Sequence, residues 1–112
     1  MVSNYTPEQG DIIILEFDPQ TGHEQKGKRP ALVISTYTFN DFTGIAMVCP
    51  ITRTNRNFPL HVSLDDRTAT TGVIMCEQAK SLDIKVRNAV YKEKAPVDIL
   101  EEVLDIMLGF FE

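Results

Sequence analysis

The apolar residues of this chain come in short, β-branched bursts separated by turn formers, and no other feature narrows the fold as much. The run IIILEF at 12–17 opens with three adjacent isoleucines. They are stiff at χ1, poor helix material and good strand material. DPQTG at 18–22 follows, with Asp before Pro and Gly after, which is turn chemistry. ALVIS (31–35), GIAMVCPI (44–51), LHVSL (60–64) and GVIMCEQ (72–78) read as four further strands. KSLDIK and VRNAVY, within 80–91, read as shorter and weaker ones. Strands this short, at roughly even spacing, predict a small barrel or curled sheet.

The last segment has a different period. In APVDILEEVLDIMLGFF, apolar residues fall at 97, 100, 103, 104, 107, 108 and 111, three and four apart, which predicts a helix. Pro96 stands where a first turn tolerates it, and Asp98, Glu101 and Glu102 lie early, where the helix dipole favours acids. A second apolar set at 99, 106 and 110 widens the stripe. Either one face covers the barrel and the remainder meets a second subunit, or the whole helix is packed into the core. The fold expected is mainly β with a C-terminal α-helix, one domain over residues 1–112.

An apolar fraction of 43% and a charged fraction of 24% suit a soluble globular protein. No apolar run is long enough to cross a bilayer, and MVSNYTPEQG has neither the basic nor the apolar part of a signal peptide. Cytoplasmic localisation is expected, with Cys49 and Cys76 reduced, buried and inert within their apolar segments. The net charge is −5, but residues 96–112 hold five acids and no base, which leaves the body neutral with 11 of each. There the bases gather at Lys26, Lys28 and Arg29, at Arg53 and Arg56, and at Lys80, Lys85 and Arg87. If these groups meet, a basic groove exists on an acidic protein.

There is no phosphate-binding loop, dinucleotide fingerprint, metal-ligand spacing or nucleophile elbow in the chain. An enzyme of this sequence is expected to need neither metal nor cofactor and to work with Arg, Lys, Glu, Thr, Ser or His. In TGHEQKGKRPALVIS (21–35), Arg29 precedes proline, so its backbone is biased to extended conformations at the mouth of a strand. A guanidinium held there offers a fork of donors matched to phosphate, or forms a surface ion pair. PITRTNRNFP (50–59) puts Thr52 directly after a buried strand and adds Arg53, Asn55, Arg56, Asn57 and Phe58. Single-stranded RNA is recognised by such a mixture of rings, guanidinium planes and amides. The same composition serves a solvated hairpin loop.

Three stretches taken together carry a resemblance: GDIIILEFDPQTGHEQKGKRPALVIS, VCPITR and CEQAKSLD. With Glu-Gln and Arg-Pro flanking a short loop and a Thr after the third strand, the chain resembles the MazF/PemK toxin ribonucleases over nearly its whole length. The resemblance implies a strongly bent SH3-like barrel, related to that of the CcdB-like toxins, and a homodimer. It implies metal-independent cleavage of single-stranded mRNA by attack of the ribose 2′-OH, leaving a 2′,3′-cyclic phosphate and a 5′-OH. It also implies a small MazE-like antitoxin as partner, an acidic disordered segment threading the RNA groove. Arg29 and Thr52 take the catalytic positions, with Glu24 contributing. Arg29 and the Thr52 hydroxyl are suited to stabilise charge on the phosphoryl oxygens, and Glu24 or water to accept the 2′-OH proton. Lys28, Arg53, Arg56, Asn57, Phe58, Gln78, Lys80, Ser81 and Arg87 are expected to bind RNA. His23 reads as a loop residue and His61, in an alternating strand, as structural. The rival readings are a DNA gyrase poison, which shares the barrel and needs no Arg/Thr pair, and an inert barrel used for protein interaction.

Overall fold

The computed structural model describes residues 5–17, 27–54 and 57–112. Its strands are β1 (Asp11–Glu16), β2 (Lys28–Val33), β3 (Ile45–Thr52), β4 (His61–Ser63), β5 (Val73–Met75), β6 (Lys80–Asp83) and β7 (Val90–Lys94). All pair antiparallel, in the order β4-β5-β3-β2-β1-β7, with β6 also on β3. β3 organises the rest. One of its edges pairs with β2, from Ala31↔Pro50 to Val33↔Val48. The other is divided: Ile45–Val48 pair with β6, and Ile51 and Thr52 pair with β5. Between those partners the chain passes through a 3₁₀ turn at Cys76–Gln78. Pro50, which has no N–H to donate, lies in the gap. A strand with two successive partners on one edge bends, and the sheet curls.

Curling gives the sheet two buried faces. Strand alternation sends Ile12, Leu32, Cys49, Ile51, Val62 and Ile74 to the first, where they pack with Ala95, Ile99 and Val103 of the C-terminal region. It sends Ile13, Leu15, Ala31, Val33, Ala46, Val48 and Leu82 to the second, where Ile84 and Ala89 join them. The helix α2 (Val97–Leu108) closes the first face. Cys49 and Cys76 are free and buried there, and burial pushes their thiols up to about 12 and about 11. Both stay protonated and unreactive at neutral pH, as expected from sequence.

The fold class agrees with the sequence reading, and several details differ. α1 (Tyr37–Thr43) was not foreseen between the second and third strands. It has a Thr36 N-cap and Gly44 in the left-handed region at its C-cap. Its only buried residue is Asn40, which donates to the carbonyls of Pro7 (2.9 Å) and Ser35 (3.2 Å). The fifth strand ends at Met75 instead of 78, because the chain turns there to reach the other half of β3. VRNAVY is mostly turn, and β7 begins at Val90. The inward face of α2 is centred on Ile99 and Val103, with Leu100, Leu104, Ile106 and Met107 half-buried. Val97, Leu108, Phe110 and Phe111 are exposed, so the stripe is rotated from the expected one toward its second apolar set.

Candidate active site

Arg29 and Thr52 come from adjacent strands. The β2–β3 ladder ends at Ala31↔Pro50. Continued two residues in the same register, it sets Arg29 level with Thr52. Each residue instead pairs outward there, Arg29 with Leu15 of β1 and Thr52 with Val73 of β5. Side chains alternate, so Arg29 shares the face of Ala31 and Val33, and Thr52 shares that of Val48. That is the second face, away from α2, and both residues stand at its rim. Arg29 is exposed and Thr52 half-buried. The Thr52 hydroxyl accepts the N–H of Thr54 at 3.2 Å, which orients the oxygen and leaves its proton for another acceptor.

Gly72 fixes the backbone behind Thr52. Its φ is +122°, and a Cβ there would lie 2.2 Å from the Thr52 carbonyl oxygen and 2.8 Å from its carbon. Only glycine permits both this conformation and this approach. Sequence reasoning passed over Gly72. The dipeptide Thr71-Gly72 ahead of an apolar run signals a turn, but not the strand it leans on.

Lys80 joins the same face. It pairs with Val48 on β3, which puts it on the face of Val48 and Leu82. Its Nζ lies 5.6 Å from the centroid of the Phe17 ring, within cation–π range. Arg29, Thr52 and Lys80 thus come from three strands to the same face, Arg29 and Thr52 at its rim and Lys80 level with Val48, four residues back along β3, and two of the three are cations. An anion with several oxygens fits such a set, and the hydroxyl adds a neutral donor.

The other RNA-binding candidates divide. Lys28 alternates to the face opposite Arg29 and is exposed. Ser81, paired with Met47, likewise faces away from Lys80. Arg53 is exposed immediately after β3. Asn57, also exposed, has φ +52° and precedes Phe58, whose ring stands half-exposed at the return into β4. Gln78 is exposed on the 3₁₀ turn. Arg87 is half-buried, and its Nη1 donates to the carbonyls of Glu16 (3.2 Å) and Phe17. Its own carbonyl accepts the Glu16 N–H at 2.9 Å. This guanidinium is spent on the end of β1, where the loop carrying Glu24 departs. Glu24, His23 and Arg56 lie outside the described residues. No cluster of three or more His, Cys, Asp or Glu suited to a metal occurs among the described residues.

His61 is more engaged than its sequence position suggests. Its Nε2 meets Glu77 Oε2 at 3.0 Å, and its ring and that of Phe58 meet edge-to-face with centroids 5.0 Å apart. Burial of the Glu77 carboxyl opposes ionisation, yet the bonds from His61, its own backbone N–H and the Gln78 side chain hold it below the usual range.

Comparison with known proteins gives the family. The family model described as PemK-like, MazF-like toxin of type II toxin–antitoxin system matches residues 8–110. The endoribonuclease toxin MazF of Escherichia coli strain K12 is 35% identical over 112 residues, 97% of this chain and 100% of that protein. The endoribonuclease PemK of Escherichia coli is 39% identical over 101 residues, 87% of this chain and 76% of that protein. A crystal structure of MazE–MazF from Deinococcus radiodurans superposes with a TM-score of 0.89 at 37% identity, covering 96% of both chains. Matched in sequence nearly end to end and in fold throughout, the chain belongs to the PemK-like, MazF-like toxins of type II toxin–antitoxin systems.

Proposed function

We propose that this protein is a sequence-specific, metal-independent endoribonuclease, the toxin of a toxin–antitoxin pair, which cuts single-stranded mRNA and so arrests translation. The observation that supports the reading is that Arg29, Thr52 and Lys80 share the second face, with Arg29 and Thr52 at its rim. Attack by a ribose 2′-OH builds negative charge on the phosphoryl oxygens. The forked guanidinium of Arg29 and the oriented Thr52 hydroxyl meet that charge, and each such donor is worth on the order of 10²–10³ in rate. A guanidinium is too strong a cation to act as base near neutral pH. Glu24 or water takes the 2′-OH proton, leaving a 2′,3′-cyclic phosphate and a 5′-OH. The relatives reported above are endoribonucleases, which favours this reading over a gyrase poison.

The partner is a MazE-like antitoxin, a reading supported by the similar MazE–MazF complex. The protein acts as a homodimer in the cytoplasm. The exposed Leu108, Phe110 and Phe111 at the C-terminal end of α2 offer the apolar surface that a second subunit requires.

Incubation of pure protein with a long single-stranded RNA in EDTA tests the reading. Discrete cuts bearing 5′-OH ends are expected, with a DNA strand of the same sequence left intact. Arg29→Lys, checked for folding, is expected to lower the rate by on the order of 10²-fold. Cleavage at the wild-type rate by that variant would remove the forked-donor role.

A further inference from the structure

His61, Glu77 and Phe58 form a chain of contacts with a definite chemistry. The His61 side chain is only 7% exposed, and Glu77 keeps 26% of its own exposure. Nδ1 of His61 is buried and has no hydrogen-bond partner among the described residues. A protonated Nδ1 would bury an N–H without an acceptor, which is costly. Of the two neutral tautomers, the arrangement favours the one with its proton on Nε2, donated to Glu77. The other ends of the chain are exposed. The Phe58 ring meets that of His61 edge-to-face at an interplanar angle of 68° and remains 43% exposed. Gln78, also exposed, follows Glu77 on the 3₁₀ turn.

The topology sets this chain beside the candidate site. Thr52 pairs with Val73 and Val73 with Ser63, so these three share one face. His61 pairs with Met75, two residues along both strands, and alternation returns it to that same face. Phe58 belongs to the loop that leaves Thr52 and returns to β4, whereas Gln78 belongs to the turn that leads to Lys80. The buried imidazole thus touches Phe58 on one side and Glu77, the neighbour of Gln78, on the other.

We propose that His61 is a positioning residue for RNA binding: bonded to Glu77, it holds the Phe58 ring at the angle at which a nucleobase stacks on it. This rests on the ribonuclease reading above and adds a specificity element to it. An edge-to-face partner leaves at least one face of the Phe58 ring for stacking, and a preorganised ring spares the entropy of ordering on binding. The role is in binding, so loss of the contact acts on KM and leaves kcat largely unchanged.

The experiment uses the whole protein and two RNAs: a cleavable strand in EDTA, and its 5′-fluorescent, 2′-O-methylated counterpart, which cannot be cut. His61→Gln removes the ring, and Glu77→Ala removes its anchor from a more exposed position. Each is expected to weaken binding of the methylated strand about 10-fold, within the range for loss of one stacked base, with kcat within about twofold. Phe58→Ala is expected to do the same. Adding His61→Gln to Phe58→Ala is expected to cost nothing further, since residues acting through one contact are not additive. Glu77→Gln, which keeps an oxygen acceptor, is expected to bind within about twofold of wild type. In the ¹⁵N spectrum, the His61 nitrogens are expected to show the proton on Nε2. Additive losses, wild-type binding by Glu77→Ala, or a proton on Nδ1 each overturn the positioning role while wild-type cleavage stands. A wild type that neither cuts nor binds RNA overturns the ribonuclease reading as well.

Discussion

At the scale of single residues, the proposed site depends on neighbours that have no chemistry of their own. Thr52 faces its substrate only if its backbone is held, and Gly72 holds it from β5. Gly72→Ala forces a Cβ to within 2.2 Å of the Thr52 carbonyl oxygen, so backbone has to move. It is expected to cost about 2–3 kcal/mol of stability. The remaining folded fraction should cut RNA more slowly, on the order of 10²-fold, because Thr52 is displaced. Thermal melts and initial rates on the same preparation check both figures. Thr52 was legible as a hydroxyl just beyond a buried strand, and Arg29 as a guanidinium fixed by the following proline. Their shared face was not legible, because it follows from strand pairings between distant segments. Arg87 looked like one more groove cation by composition, and its bonds to the Glu16 and Phe17 carbonyls depend on contacts 70 and 71 residues apart.

At the scale of elements, local signals reported type well and partners poorly. α2 carried its period in its sequence, but which side of it faced the sheet was decided by packing of Ile99 and Val103 against the first face. α1 has almost no apolar period to read, since its inward residue is Asn40, and so it went unforeseen. The turn region between β4 and β5 is tied to β7 by one carboxylate and to α2 by the Arg67–Asp98 pair. Glu93 on β7 accepts the N–H groups of Ala69 (3.0 Å) and Thr70 (2.8 Å) and the Thr70 hydroxyl (2.7 Å). Burial opposes its ionisation, yet these three donors hold its pKa below the ordinary 4.5. A depressed folded pKa stabilises the protein above the unfolded value, and that stability is lost as pH falls through the folded one. Glu93→Gln is therefore expected to cost about 1–2 kcal/mol near pH 7, and less as the pH is lowered below 4.5. Denaturant melts of both proteins between pH 7 and pH 3 check the convergence.

At the scale of the molecule, charge is sorted by face. Arg29 and Lys80 lie on the second face, whereas Asp98, Glu101, Glu102 and Asp105 ride on the helix that covers the first. A net charge of −5 is thereby compatible with a polyanionic substrate. The proposed groove predicts that RNA binding weakens with salt, and that Lys80→Ala reduces the slope of log K against log salt by about 0.7, one phosphate's share for a single strand. Titration of the methylated strand at four or five salt concentrations measures it. An unchanged slope removes Lys80 from the phosphate contacts.

The pairing of β1 with both β2 and β7 has a consequence for synthesis. The strand that flanks Arg29 is itself completed by residues 90–94, near the other end of the chain. Contacts of such long separation form late and together. A nascent chain on the ribosome, with residues 90–94 still in the exit tunnel, therefore lacks the second partner of β1, and the protein becomes able to act only once that strand has emerged and paired.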